Sequence, residues 1–382
     1  MMDLFFERVI SRRNFLKKCC LAAVGGALVP KLVKFGEAQD AKFGFIKRKK
    51  ALYYEKLPKE KVKCLLCPRG CVVPEGNRGF CRVRENSHGE YYTLTHSNPC
   101  AVHNDPIEKK PLFHFLPKTT ALSIATAGCN FTCKNCQNWS ISQANPEQTV
   151  NYEVSPDLLV DLALEYKIPT IAYTYTEPTI FFEYMLESAK IAKKKGVLNM
   201  YHSNGYINHE PLYALIPYLD GANVDLKGFS NEFYLDITGG TLHPVLETLK
   251  TLKKEGVWLE ITNLVIPTRN DSEPMLKELC QWIKNELGVD TPVHFSRFYP
   301  QYKLQNLPST PIKTLQKTAE IAHTIGLHYI YIGNVPGMPE ENTYCPACGK
   351  VIIERRGYSI GAINLQNGTC KFCKNKIPGR WK

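Results

Sequence analysis

The chain has 382 residues, 44% of them hydrophobic. That length suggests two or three domains, and that apolar fraction supplies a large core and argues against disorder. The formal net charge of +12 suits an anionic partner or a membrane surface, yet the charge is spread along the chain. Its N-terminal excess (Arg12, Arg13, Lys17, Lys18, Lys31, Lys34 and the run from Lys47 to Lys50) points to targeting more than to nucleic acid.

Residues 1–40 have a signal-segment layout. Ser11-Arg12-Arg13-Asn14-Phe15-Leu16-Lys17 resembles the twin-arginine export signal, an apolar stretch from Cys19 to Pro30 follows, and Gly36-Glu37-Ala38 offers a small-residue site. No stretch reaches the roughly 18 apolar residues of a membrane span. The expectation is export of a folded protein already loaded with its metal in the cytoplasm; a cytoplasmic protein with an N-terminal helix, or a membrane tether, is the alternative.

Residues 41–118 are rich in turn formers (Pro68, Gly70, Pro74, Gly76, Gly79) and carry Cys64, Cys67, Cys71 and Cys81. This describes a small, loop-rich module stapled by metal. The spacing fits neither a ferredoxin run nor a standard zinc ribbon, so zinc and an auxiliary iron–sulfur cluster stay open, with disulfides favoured only in an oxidising compartment.

From residue 119 to 335 short β-rich runs alternate with amphipathic ones. The predicted strands are Leu122–Thr126, Thr170–Tyr175, Leu198–His202, Gly221–Asp225, Trp258–Leu264, Val293–Phe298 and His328–Ile332. Helices are predicted at Pro156–Tyr166, Thr179–Lys195, Met275–Leu287 and Ile312–Ile325. Such alternation implies an α/β fold with parallel pairing, because a parallel crossover needs a dozen residues or more. A partial or complete (β/α) barrel is expected, with small Cys-rich metal modules at both ends; a doubly wound sheet would give the same string.

Residues 336–382 contain Cys345, Cys348, Cys370 and Cys373, two C-x-x-C knuckles with zinc-ribbon-like spacing. A closed structural zinc site is expected there, with an auxiliary iron–sulfur cluster as the alternative.

The central cysteines carry the chemistry. Cys129, Cys133 and Cys136 directly follow the first predicted strand of the alternating region. A four-iron cluster normally takes four thiolates, so three leave one iron open, the mark of a catalytic centre. A zinc site completed by Cys100, Cys280 or a histidine is the alternative.

This C-x-x-x-C-x-x-C pattern resembles the signature of the radical S-adenosylmethionine (SAM) superfamily. The run from Gly128 to Trp139 is similar to the branch of pyruvate formate-lyase-activating enzymes, and Asp105-Pro106-Ile107-Glu108-Lys109-Lys110-Pro111-Leu112 resembles the AmmeMemoRadiSam group. The resemblance implies a [4Fe–4S] cluster that binds SAM, cleaves it reductively to methionine and a 5′-deoxyadenosyl radical, and abstracts hydrogen from a substrate it does not identify. It implies a reductant protein such as ferredoxin or flavodoxin, and suggests AMMECR-type and Memo-type proteins as partners.

The same resemblance assigns SAM contacts. Glu177 matches the acid of the family's Gly-Gly-Glu loop, although Tyr175-Thr176 stands where the glycines would be. Ser203 and Asn204 match a turn near the ribose, and Asp225 and Lys227 match an Asp-x-Lys whose cation meets the SAM carboxylate. The bland readings are a helix-end carboxylate, an ordinary turn and a strand-end salt pair. Asn263, His294 and Arg297 are further candidates for a pocket lining, with a core role equally open to His294. Two other functions remain in view: an activase for a glycyl-radical enzyme, and a non-catalytic scaffold with zinc in all three clusters.

Overall fold

A computed structural model describes residues 41–382, so the expected signal segment, with Cys19 and Cys20, lies outside the described residues. The central element is an eight-stranded sheet. Its strands are β1 (Ala101–Pro106), β2 (Thr120–Ala125), β3 (Thr170–Tyr173), β4 (Leu198–Ser203), β5 (Gly221–Asp225), β6 (Trp258–Val265), β7 (Val293–Arg297) and β8 (Ile330–Gly333). From β2 to β8 every neighbouring pair is parallel, while β1 runs antiparallel to β2 on the edge.

Strand order follows chain order without a reversal. A doubly wound sheet reverses at a switch point, so this sheet winds one way. β8 does not pair back to β1, and the barrel therefore stays open. Right-handed crossovers, all turning in one direction, carry the helices to one face and leave the other to line the interior.

The crossovers contain α1 (Pro156–Glu165), α2 (Phe182–Lys194), α3 (His209–Leu215), α4 (His243–Lys254), α5 (Glu273–Trp282) and α6 (Ile312–Ile325). Local chemistry sets their ends. Ser155 caps α1 by accepting the Leu158 N–H at 3.2 Å, with Pro156 pre-set for the first turn. Gly326 ends α6 in a left-handed conformation at φ 101°.

Strand register shows which residues share the interior face. Ala172 pairs with Ser123 and with Met200, His202 with Asn223, and Asn223 with Glu260. Thr262 pairs with His294, which pairs with Tyr331. The N-terminal end of this interior is plugged by Ile107, Leu112, Phe115 and Leu116 packed on Ala121, Ala172 and Met200. Gly221 is required at the start of β5, because a Cβ there would meet the Phe115 ring at 2.9 Å.

Residues 101–116, within the region read as the N-terminal module, supply β1 and this plug. The C-terminal tail closes over it: Leu116 N donates to Arg380 O and Arg380 N donates to His114 O, each at 2.7 Å. The described residues thus belong to one compact unit, and no described helix is long and apolar enough to cross a membrane.

Candidate active site

The three central cysteines lie on the loop that leaves the C-terminal end of β2, where parallel barrels place their chemistry. All three are free and only partly buried. The Phe131 N–H donates to Cys129 Sγ at 3.4 Å, and Cys136 Sγ shares a hydrogen bond with Ser142 Oγ at 3.2 Å. Burial pushes the Cys133 thiol up to about 12, against the pull of the Lys227 cation.

Single-ion geometry is absent from this loop. Zn–S bonds of about 2.3 Å in a tetrahedron hold sulfurs roughly 3.8 Å apart. Among the described residues, the tail quartet is the one set of cysteines whose sulfurs all lie within 4.8 Å of one another. Cys100 and Cys280 lie outside that loop, just before β1 and within α5, and burial raises each thiol to about 12. Three free thiols spread more widely than a single ion allows fit the larger body of an iron–sulfur cluster with one iron left open.

Glu177 ends the β3 loop and is buried. Its Oε1 accepts from Thr179 N at 3.0 Å, Thr179 Oγ1 at 2.7 Å and Ser203 Oγ at 2.8 Å, while Oε2 accepts from Asn204 N at 2.7 Å. Burial pushes its carboxyl up, with these donors opposing. The carboxylate therefore caps the turn after it and also ties the end of β3 to the end of β4. Oε2 retains one acceptor direction.

Asn204 extends the tie to the cysteine loop, donating from Nδ2 to Asn130 Oδ1 at 2.8 Å; Asn130 in turn donates to Tyr206 O at 2.8 Å. Ser203 Oγ also accepts from Gly205 N at 3.0 Å. Asp225, at the end of β5, takes Lys227 Nζ at 2.8 Å on one oxygen and His202 Nε2 at 3.1 Å on the other. Burial alone would raise Asp225 and lower Lys227. Their mutual attraction wins, reinforced by His202 on the acid and Cys133 on the cation, so both stay charged. The structure thus gathers Glu177, Ser203, Asn204, Asp225 and Lys227 around the cysteine loop.

Tyr175 resolves the departure from the Gly-Gly-Glu pattern. It holds a left-handed φ of 62°, a conformation that glycine takes freely and that costs tyrosine energy. Its hydroxyl donates to Asp105, the Lys110 ammonium lies 4.3 Å from its ring centroid, and its carbonyl accepts from Asn138 Nδ2 at 2.7 Å. Lys110 is buried and donates to Asp105 at 2.6 Å. The Asp105–Lys110 motif therefore braces the loop beside the cysteines, a role that sequence reasoning missed.

Three other candidates lie elsewhere. His294 is a core residue, donating to the buried Glu260 at 2.7 Å; Glu260 also accepts the backbone N–H groups of Phe113 and His114. Asn263 is buried and donates to Leu226 O at 2.7 Å, supporting the loop after β5. Arg297 donates to Thr310 O at 2.8 Å and sits over the Tyr299 ring.

This arrangement of sheet, loop and cysteines defines an α/β enzyme with a partial barrel, and residues 123–280 match the Radical SAM superfamily. The chain belongs to that superfamily and is an enzyme of the radical SAM type, in the branch like pyruvate formate-lyase-activating enzymes. It is 48% identical over 331 residues to an uncharacterized protein of Methanocaldococcus jannaschii, covering 86% of this chain and 98% of that one. It is 22% identical over 199 residues to the pyruvate formate-lyase-activating enzyme of Clostridium pasteurianum, covering 47% of this chain and 80% of that enzyme. Among solved structures, SuiB of Streptococcus suis bound to S-adenosylmethionine aligns with 60% of this chain and 53% of its own, at 9% identity and a TM-score of 0.46. Membership of the superfamily implies SAM and an iron–sulfur cluster as cofactors.

Proposed function

We propose that Cys129, Cys133 and Cys136 hold a [4Fe–4S] cluster with which this enzyme cleaves SAM reductively. The observation that carries the reading is the wide, free thiol triad beside the charged Asp225–Lys227 pair. When bound, such a cluster would supply an open iron for SAM and the electron for reductive cleavage of its carbon–sulfur bond. Lys227 offers a half-buried cation to the SAM carboxylate, and Asp225 with His202 fixes that cation. Glu177, Ser203 and Asn204 are positioning residues that hold the β3 and β4 ends against the cysteine loop. The free acceptor direction of Glu177 Oε2 remains for the SAM amino group.

The electron comes from a one-electron protein reductant such as ferredoxin or flavodoxin. AMMECR-type and Memo-type proteins are the partners suggested by the Asp105–Leu112 motif. Activation of a glycyl-radical enzyme is the second reading, favoured by the activating enzymes among the relatives. Zinc suits the tail, where Cys345 Sγ lies 3.5 Å from Cys373 Sγ and Cys348 Sγ lies 3.9 Å from Cys370 Sγ. Twin-arginine export of the loaded protein stays a proposal for residues 1–40; a folded reporter fused to them should cross the membrane, and Lys at both Arg12 and Arg13 should stop it.

The central test is anaerobic reconstitution with iron, sulfide, SAM and a reductant. 5′-Deoxyadenosine and methionine should form, and Cys133→Ala should abolish both while tail metal is kept. Unchanged 5′-deoxyadenosine in that variant would refute the mechanism.

A further inference from the structure

The N-terminal cysteines differ from the tail quartet in the same chain. Cys64, Cys67, Cys71 and Cys81 are all free, so no disulfide joins them. They line one narrow pocket together with Arg84, Tyr91 and Asn130. They do not form a set of sulfurs within 4.8 Å of one another, whereas the tail quartet does. Four thiols facing a common cavity across a gap too wide for one ion call for a larger metal body.

Two buried donors at this cavity have no partner. Tyr91 is fully buried, and its hydroxyl makes no hydrogen bond. Arg84 spends Nη1 and Nη2 on Glu183 and Leu52 O, but its Nε makes none. A buried donor without an acceptor is costly, and cluster sulfide or thiolate would supply one. Gly79, between Cys71 and Cys81, lies against the Tyr91 hydroxyl: a Cβ on it would meet that oxygen at 2.7 Å and Cys71 Cβ at 3.9 Å.

The cavity also adjoins the catalytic loop. A Cβ on Gly128, the residue before Cys129, would meet Cys81 O at 2.5 Å and Val83 Cγ1 at 2.6 Å. Arg69, between Cys67 and Cys71, donates to Asn130 O and to Gly239 O.

We infer that Cys64, Cys67, Cys71 and Cys81 hold a second iron–sulfur cluster, with Tyr91 and Arg84 as donors to its sulfurs, which relays electrons to the cluster on the triad. Four thiolates leave no open iron, so this centre transfers electrons and does not bind substrate. One electron enters from a one-electron protein reductant and the same electron leaves for the triad cluster; no bond or proton is exchanged. The relay rests on the triad reading above, while the site itself does not.

The test uses the full chain with Cys129, Cys133 and Cys136 all changed to Ala. After anaerobic reconstitution this variant should keep iron and acid-labile sulfide in equal amounts and show a one-electron reduction by electron paramagnetic resonance. Zinc without sulfide, or no metal, overturns the site. Tyr91→Phe in that background keeps the packing and should move the reduction potential to a more negative value, because a hydrogen bond to cluster sulfur raises it; an unmoved potential overturns the Tyr91 role. In the chain with its triad intact, Cys67→Ala should lose 5′-deoxyadenosine formation driven by flavodoxin or ferredoxin while the triad cluster still forms. Wild-type rates in that variant overturn the relay. Absence of SAM cleavage in the wild type, with the triple variant still holding its cluster, would refute the triad reading and leave the site standing.

Discussion

Arg84 and Glu183 form a buried two-pronged ion pair, with both guanidinium–carboxylate contacts at 2.8 Å and each side chain 1% exposed. Arg84 belongs to the N-terminal module and Glu183 to the first turn of α2. The pair is shared further, since Leu52 N donates to Glu183 at 2.6 Å and Arg84 donates to Leu52 O at 2.9 Å. The cysteine-rich module is therefore anchored to the helix that follows the Glu177 loop.

Glu183→Ala should be strongly destabilising. It leaves the Arg84 charge buried without its counter-charge, and breaking such a pair costs about 3–5 kcal/mol. Chemical denaturation of wild type and variant under identical metal loading would measure this. A loss below about 1 kcal/mol would show that water or a rearranged acid takes over.

The tail is joined to the barrel by a hydrogen-bond chain that runs through a buried, neutral histidine. Arg355 Nη1 donates to Thr343 at 2.6 Å, Thr343 to Tyr331 at 2.9 Å, and Tyr331 to His114 Nε2 at 2.6 Å. His114 Nδ1 then donates to Pro378 O at 2.7 Å. The Pro378 carbonyl only accepts, so Nδ1 carries a proton, and burial keeps the ring neutral, so Nε2 accepts from Tyr331. Burial lowers its pKa from 6.5 to about 4. The unfolded chain then binds more protons between pH 4 and 6.5, so this stabilisation is complete above 6.5 and is lost as pH falls through that window. The full effect is roughly 3 kcal/mol. His114→Gln should reduce the slope of stability against pH in the window by up to about 1.4 kcal/mol per unit. Some slope of the same sign will remain, because burial also lowers His294. An unchanged slope would mean that His114 does not titrate there.

Much of this was legible in the sequence. The strands from Thr170, Leu198, Gly221, Trp258 and Val293 start at the residues read for them, and Ile312–Ile325 is a helix as read. Barrel against doubly wound sheet was not legible, because periodicity encodes elements and not the order in which they pair. Ala101–Pro106 escaped notice because an edge strand carrying His103, Asn104 and Asp105 lacks an apolar alternation. The cysteine spacings revealed three clusters, but spacing alone does not give the breadth of a site in space. Tyr175 was the least readable. Its left-handed backbone is paid for by Asp105 and Lys110, some 70 residues earlier in the chain.

Lys227→Met should weaken SAM binding by about 10- to 100-fold, the range usual when a positioned partner beside a metal centre is lost. The variant also leaves Asp225 with His202 as its only partner among those described. Equilibrium binding of SAM to the reconstituted protein would read it. Retained affinity would mean that the pair is only a strand-end brace.

The tail should bind about one zinc per chain, because one ion completes a four-thiolate tetrahedron. Its knuckles pack at the base of the barrel, with Cys345, Cys370 and Ile377 beside Phe113, Tyr329 and Tyr331. Cys348→Ser should release the zinc and lower the melting temperature without removing iron from the triad. Zinc analysis with calorimetry would check both, and an unchanged zinc content would refute the assignment.

Gly128→Ala should damage the two proposed iron–sulfur sites, on the triad and on the N-terminal cysteines, together. Gly128 has φ 92° and sits against Cys81 O and Val83, so alanine meets both a disfavoured backbone and a contact of 2.5 Å. The backbone term alone costs about 1–3 kcal/mol. Relief requires the loop bearing Cys129 and the turn bearing Cys81 to separate. That displaces one ligand of each cysteine set while leaving the tail knuckles, at the opposite end of the strands, untouched. Iron and sulfide per chain should fall in the variant, both with the triad intact and with its three cysteines changed to Ala, at constant zinc. Loss confined to the triad would mean that the two cysteine sets are structurally independent despite their contact.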